Sequence, residues 1–161
     1  MAVLCLDTSA LLKRYQVEKG TPVVREVFQS SAVGHTLAAS YLAIPEASSV
    51  LTRMVRGGLL RPQTFEAILW DLIKDADDLI FLHSVSDGIV RDAVDLTIAH
   101  AVRAPDAIHL ATALRVQRAA NPDVTLFVSS DAKLKAAATA SHLNVLDPEA
   151  PDSLERLRSL R

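Results

Sequence analysis

Short, unbroken apolar runs alternate along this chain with longer stretches in which apolar residues recur every three or four positions. Residues 2–6 (Ala-Val-Leu-Cys-Leu) form the first run, the pattern of a strand buried on both faces. It stops at Asp7-Thr8-Ser9, three residue types that cap helices, and a helix is predicted over residues 10–17. Gly20-Thr21-Pro22 opens the next helix, with Thr as cap and Pro at the first helical position. Val23, Val24, Val27 and Phe28 then recur at helical spacing. Residues 33–37 read as a second strand. Leu42, Ala43, Ala47, Val50, Leu51 and Met54 mark a helix over residues 39–55 that Gly57-Gly58 ends. Pro62 opens a helix to about residue 76, residues 79–82 form a third strand, and residues 87–101 and 106–119 form two helices. Residues 125–128 make the fourth strand, an Ala-rich helix follows Ser129-Ser130-Asp131, and residues 144–146 make the fifth strand.

Strands alternating with helices predict an α/β fold: a central, mainly parallel sheet of about five strands covered by helices on both faces. Residues 1–148 read as one domain. The segment 149–161 is polar, with Pro151 near its start, and predicts a tail ending in a short surface helix. No internal repeat or low-complexity tract interrupts this order.

Composition narrows the class. The chain has 161 residues, half of them hydrophobic but only 4 % aromatic, so Ala, Leu and Val fill the core. The lone Cys5 lies inside the first strand, where it serves as a small hydrophobe. That usage fits a reducing cytosol, and a cytoplasmic location is expected. No apolar stretch approaches the length of a membrane span. The formal net charge of -2 lacks the basic excess of a protein that grips long nucleic acids. The objection weakens if four acids cluster around cations, because the remaining surface is then net positive by about two.

Ligands of open α/β sheets bind beyond the carboxyl ends of strands. Asp7 and Asp131 fall at two such ends, and each also precedes a helix, so capping and chemistry are both open readings. Glu46 interrupts the otherwise uncharged stretch Tyr41–Ala47, and Asp106 sits in Ala104-Pro105-Asp106-Ala107-Ile108. Carboxylates among apolar neighbours are costly to bury unless a cation or donors compensate. Both follow a proline. Pro105 as a first helical residue would put Asp106 in a first turn, where the helix dipole favours negative charge. Pro45 would kink a helix begun at Ala39 or open one begun later. Four carboxylates meeting in one cleft would imply a bound hard cation such as Mg²⁺, and such ions serve phosphodiester chemistry.

The words around these acids carry a resemblance. Leu6-Asp7-Thr8-Ser9-Ala10-Leu11-Leu12-Lys13-Arg14-Tyr15 is similar to the first motif of PIN domains. Residues 40–53 around Glu46 resemble the second, and Asp106-Ala107-Ile108-His109-Leu110-Ala111-Thr112-Ala113-Leu114 the third. Val128-Ser129-Ser130-Asp131-Ala132-Lys133-Leu134, with Ala137 and Val145–Pro148, resembles the last. Order and spacing agree over residues 2–148, and the overall size resembles VapC toxins of toxin–antitoxin pairs. The resemblance implies a PIN-like three-layer α/β/α sandwich and a Mg²⁺- or Mn²⁺-dependent endoribonuclease. Asp7, Glu46, Asp106 and Asp131 would be its catalytic and metal-binding quartet. It further implies an RNA substrate, a homodimer and a VapB-like antitoxin. One departure is the absence of a glycine at Ser141-His142-Leu143, where the last helix needs a left-handed end.

Around the quartet, Thr8, Ser9 and Ser130 are candidates to bond carboxylates or phosphate, or are plain caps. Arg53, two turns after Glu46, is a candidate for RNA phosphate, and Lys13, Arg14, Arg56, Arg61 and Arg103 for a basic rim. His109 lies one turn after Asp106 on the same face, where packing outweighs a role as base. Trp70, beside Phe65, Ile68, Leu69 and Ile73, reads as core or dimer contact. Two further readings stay open: a PIN-like module without catalysis that holds RNA or a protein, and a phosphotransferase with Asp7 as nucleophile. Against the latter, Ser9 stands where such enzymes carry a second acid.

Overall fold

The computed structural model describes residues 1–120, 123 and 125–160. Its elements run β1 (Val3–Leu6), α1 (Thr8–Leu12), α2 (Thr21–Gln29), β2 (Thr36–Ser40), α3 (Ala43–Arg56), α4 (Pro62–Asp78) and β3 (Ile80–His83). They continue with α5 (Asp87–His100), α6 (Ala104–Ala119), β4 (Thr125–Val128), α7 (Ala132–Ala140), β5 (Asn144–Leu146) and α8 (Ser153–Arg158). The five strands form one sheet in the order β3-β2-β1-β4-β5, and every pairing is parallel.

Strand alternation sends successive side chains to opposite faces, and both faces are covered. Leu4 and Leu6, with Leu37, Ala39, Leu126, Val128 and Leu146, pack under α1, α2, α3 and α4. Cys5, Ala38 and Phe127 pack on the other side against α5, α6 and α7. This is the three-layer PIN-like sandwich expected from the sequence. Helix α6 is buried almost all round, and its alanines 107, 111 and 113 let neighbouring backbones approach. Burial pushes the Cys5 thiol up to about 12, so it stays protonated and apolar in character.

Several boundaries differ from the sequence pattern. The first helix ends at Leu12 rather than residue 17, because the following amides bond three residues back, Lys13 to Ala10 and Arg14 to Leu11. The second strand starts at Thr36 rather than Val33: Ser30–Val33 is a 3₁₀ turn closed by Gly34 at φ 96°. Ala39 and Ser40 therefore belong to β2, and α3 begins at Ala43. Pro45 falls in the first turn of α3, where a missing amide costs nothing, so the helix is not kinked there. Pro105 likewise sits in the first turn of α6. Trp70 is not core: it is 72 % exposed, two residues off the Ile68–Leu72–Ala76 stripe that α4 buries. The absent glycine at the end of α7 is replaced by His142 at φ 62°. Its amide bonds Thr139 O and that of Leu143 bonds Ala138 O, the Schellman pattern with histidine in glycine's place. Helix α8 is no loose appendage, because Leu157 is fully buried in the core. Among the described residues no helix is long and apolar enough to cross a membrane.

Candidate active site

The strand order reverses direction at β1: chain progression through β2 and β3 goes one way, and β4 and β5 lie on the other side. Such a switch point opens a crevice at the carboxyl ends of the central strands. Asp7 ends β1 and Ser129 ends β4, side by side, because Leu6 pairs with Val128. A cleft of about 350 Å³ opens there, lined by Asp7, Thr8, Ser9, Lys13, Glu46, Arg53, Arg103, Asp106, His109 and Asp131 among others. All four acids singled out from the sequence thus border one cleft, delivered by the ends of β1 and β4 and the first turns of α3 and α6.

Asp7 is 3 % exposed and accepts from several neutral donors. The Ala10 amide reaches Oδ1 at 2.8 Å, the Ser129 hydroxyl reaches Oδ2 at 2.7 Å, and the Ser9 hydroxyl lies 2.9 and 2.8 Å from the two oxygens. Burial pushes its carboxyl above the ordinary aspartate range. The Ala10, Ser129 and Ser9 bonds and the nearby His109 oppose this without overcoming it. Among the described residues no Lys or Arg pairs with Asp7. Asp7 and Asp131 are also true N-caps, Asp131 accepting from the Leu134 amide at 2.7 Å. Capping and cleft lining are therefore the same residues at the same time. The caps are tied together: Ser9 Oγ accepts from the Ser130 amide and Ser129 Oγ from the Asp131 amide, both at 3.2 Å. Ser130 contributes its backbone, and its own hydroxyl is buried without a partner among the described residues.

Glu46 meets Thr8 and His109. The Thr8 hydroxyl donates to Glu46 Oε2, and His109 Nε2 lies 2.8 Å from that oxygen and 3.1 Å from Thr8 Oγ1. The His109 bond first, then that from Thr8, hold the Glu46 carboxyl below the usual glutamate range, against partial burial. Asp106 is gripped by Arg103, whose Nε and terminal nitrogen reach its two oxygens at 2.9 and 3.2 Å. The same guanidinium is within electrostatic reach of Asp131 and Glu46.

The basic residues divide. Arg53, which donates to Ser49 at 2.7 Å, Arg103 and Lys13 line the cleft, whereas Arg56 and Arg61 do not. Lys13 is 4 % exposed and pairs with Glu149 at 2.8 Å and Glu18 at 3.4 Å. Arg14 points away, to Asp75 at 2.5 Å and over the Phe28 ring. Two features were not legible as site chemistry: the Arg103 fork and the His109–Glu46 contact. Each had a partial signal: Arg103 stands three residues before Asp106 and was a candidate for the basic rim, and His109 lies one turn after Asp106.

The donor set suits a hard divalent cation, being carboxylates and hydroxyls without thiolate. A buried Asp7 held by neutral donors alone fits a missing positive partner. Among the described residues, however, no three acidic or histidine side chains are drawn together closely enough to ligate one ion directly. Fit is therefore to an ion that keeps part of its water shell, as Mg²⁺ does.

The fold has known counterparts. Over 89 % of its length the chain superposes on 96 % of a chain from VapBC2 of Rickettsia felis bound to a promoter DNA fragment, with a TM-score of 0.63 and 11 % identity. PAE2754 from Pyrobaculum aerophilum matches 99 % of this chain and 89 % of its own, at 0.62 and 15 %. A toxin–antitoxin complex from Klebsiella pneumoniae matches 92 % and 98 %, at 0.54 and 19 %. At these identities the likeness is one of fold. No protein-family model matches the sequence, and no curated protein does.

Proposed function

We propose that this protein is a divalent-metal-dependent endoribonuclease and the toxin half of a toxin–antitoxin pair. One observation carries the reading: four acids far apart in sequence border one cleft at the sheet's switch point, and the deepest, Asp7, is buried with no Lys or Arg partner among the described residues. The motif resemblance and the structural likeness to chains from toxin–antitoxin complexes support it.

Asp7 and Asp106 would hold the ion, with Asp131 and Glu46 reaching it through coordinated water. A bound Mg²⁺ or Mn²⁺ supplies Lewis acidity and lowers the pKa of water beside a phosphodiester. The chain does the rest. Arg53 and Arg103 at the cleft wall bind phosphate oxygens, and Ser9 and Ser129 keep Asp7 in one rotamer. The P–O3′ bond breaks as water adds to phosphorus, leaving a 5′-phosphate and a 3′-hydroxyl. A VapB-like antitoxin and a second copy of the chain are the expected partners. Exposed apolar strips at Val90, Val94 and Ile98 of α5 and at Trp70 and Ile73 of α4 support such docking.

One observation favours a PIN-like module without catalysis: the Arg103 fork engages both oxygens of Asp106. Calorimetric titration with Mn²⁺ separates the two. The nuclease binds Mn²⁺ and loses that binding in Asp7→Asn; the inert module shows no Asp7-dependent binding.

A further inference from the structure

We propose that His109 is a positioning residue that fixes Glu46 Oε2, so that Oε1 alone is presented to the cleft. The inference rests on the metal-site reading above. His109 belongs to the buried face of α6 and is 3 % exposed, a place where apolar residues are the rule. Its Nδ1 is buried with no partner among the described residues, and an orphaned buried nitrogen is a cost that a packing role leaves unexplained. The gain lies at the other nitrogen. Nε2 is 2.8 Å from Glu46 Oε2 and 3.1 Å from Thr8 Oγ1.

The proton positions follow from donor and acceptor chemistry. The ionised Glu46 only accepts, so the short contact puts a hydrogen on His109 Nε2. The Thr8 hydroxyl spends its own hydrogen on Glu46 Oε2 and turns its lone pairs to the imidazole. Oε2 thus receives two donors, one from α1 and one from α6, while its backbone belongs to α3. Three elements meet at one oxygen. Oε1 takes no hydrogen bond among the described residues and belongs to a side chain that lines the cleft. A glutamate free to turn about its side-chain bonds samples many directions; one anchored at a single oxygen offers the other in a fixed place. Partners that orient a carboxylate in this way set the affinity of metal sites.

The test is Mn²⁺ titration of His109→Gln, His109→Asn and His109→Ala, with folding checked by thermal unfolding. The Gln amide nitrogen lies as many bonds from Cβ as Nε2 does; the Asn nitrogen stops at the level of Nδ1. His109→Gln is expected to bind Mn²⁺ within about threefold of wild type, and His109→Asn and His109→Ala to lose about tenfold or more. In a Glu46→Ala background, His109→Ala should cost nothing further. If His109→Ala fails to fold, the contrast between the larger Gln and Asn side chains decides. Equal loss in Gln and Asn, wild-type affinity in Asn, or an undiminished Ala penalty without Glu46 overturns the inference while the metal site stands. Absence of Mn²⁺ binding in the wild type overturns both.

Discussion

Replacing Asp7 by Asn should make the metal-free protein more stable while abolishing its metal binding. The cause is visible at the end of β1. Asp7 is nearly solvent-free, and its surrounding donors do not offset the loss of water, so its carboxyl is held above the usual range. At neutral pH this raised carboxyl therefore makes the fold less stable than a neutral side chain of the same shape would. Asn is as good an N-cap as Asp, so its amide oxygen keeps the Ala10 bond. Its NH₂ replaces Oδ2 against the hydroxyls of Ser9 and Ser129, which can rotate to accept. The gain expected from removing an under-compensated functional charge is about 1–2 kcal/mol, or about 3–6 °C in Tm for a domain of this size. The sign can be checked through pH. A raised folded pKa means that wild type regains stability relative to the variant as pH falls through that value. The advantage of Asn is gone below the unfolded pKa, about 3.9. Thermal and urea unfolding in EDTA between neutral and acid pH measure this directly. Adding Mn²⁺ at about 100 times its Kd should then raise wild type by about 2.7 kcal/mol and leave Asp7→Asn unmoved. A variant destabilised by 1 kcal/mol or more in EDTA at neutral pH, or equally stabilised by Mn²⁺, refutes the reasoning.

Glu46→Gln should have the opposite sign: its carboxyl is held low by His109 and Thr8, so at neutral pH the metal-free variant loses about 1 kcal/mol. That deficit closes as pH falls through the lowered folded value, which denaturant melts across that range will show. His142→Gly should gain about 1 kcal/mol, because glycine adopts the left-handed backbone at the end of α7 without the Cβ penalty; equilibrium unfolding reads it. Arg103→Ala should tighten Mn²⁺ binding about two- to fivefold by freeing Asp106 from an exposed ion pair. Calorimetry in low and high salt checks the effect, which should shrink as salt screens the pair.

The layers and the site were legible to different degrees, for physical reasons. Strand β1 was readable to within a residue because a strand buried on both faces is an unbroken apolar run; β4 and β5 were readable at their observed bounds, although β4 opens with Thr125 and β5 is an edge strand whose Asn144 is exposed. Strand β2 was displaced, because Ala38, Ala39 and Ser40 suit a helix as well as a buried strand, and the 3₁₀ turn closed by Gly34 takes Val33 out of the strand. The four acids were readable from local words, but their meeting depends on the β1–β4 pairing and on how α3 and α6 cross the sheet. His109 illustrates the limit. Its spacing from Asp106 is local, whereas its contact with Glu46 spans 63 residues and exists only once α3 and α6 are packed. The same holds for Lys13, whose partner Glu149 comes from the far end of the chain. Trp70 shows the converse: its apolar neighbours left core and dimer contact both open, and its angular position on α4 removes only the first.

In the proposed function the cleft acids hold a cation that promotes hydrolysis of RNA. The most direct test is cleavage of a labelled RNA by wild type, Asp7→Asn and Asp106→Asn, each confirmed folded, with Mg²⁺ or Mn²⁺ and with EDTA. Wild type should cut only with metal and leave 5′-phosphate ends, and both variants should lose activity by about a hundredfold or more. Cleavage by both variants at the wild-type rate, or metal-independent cleavage by any of them, would contradict the account.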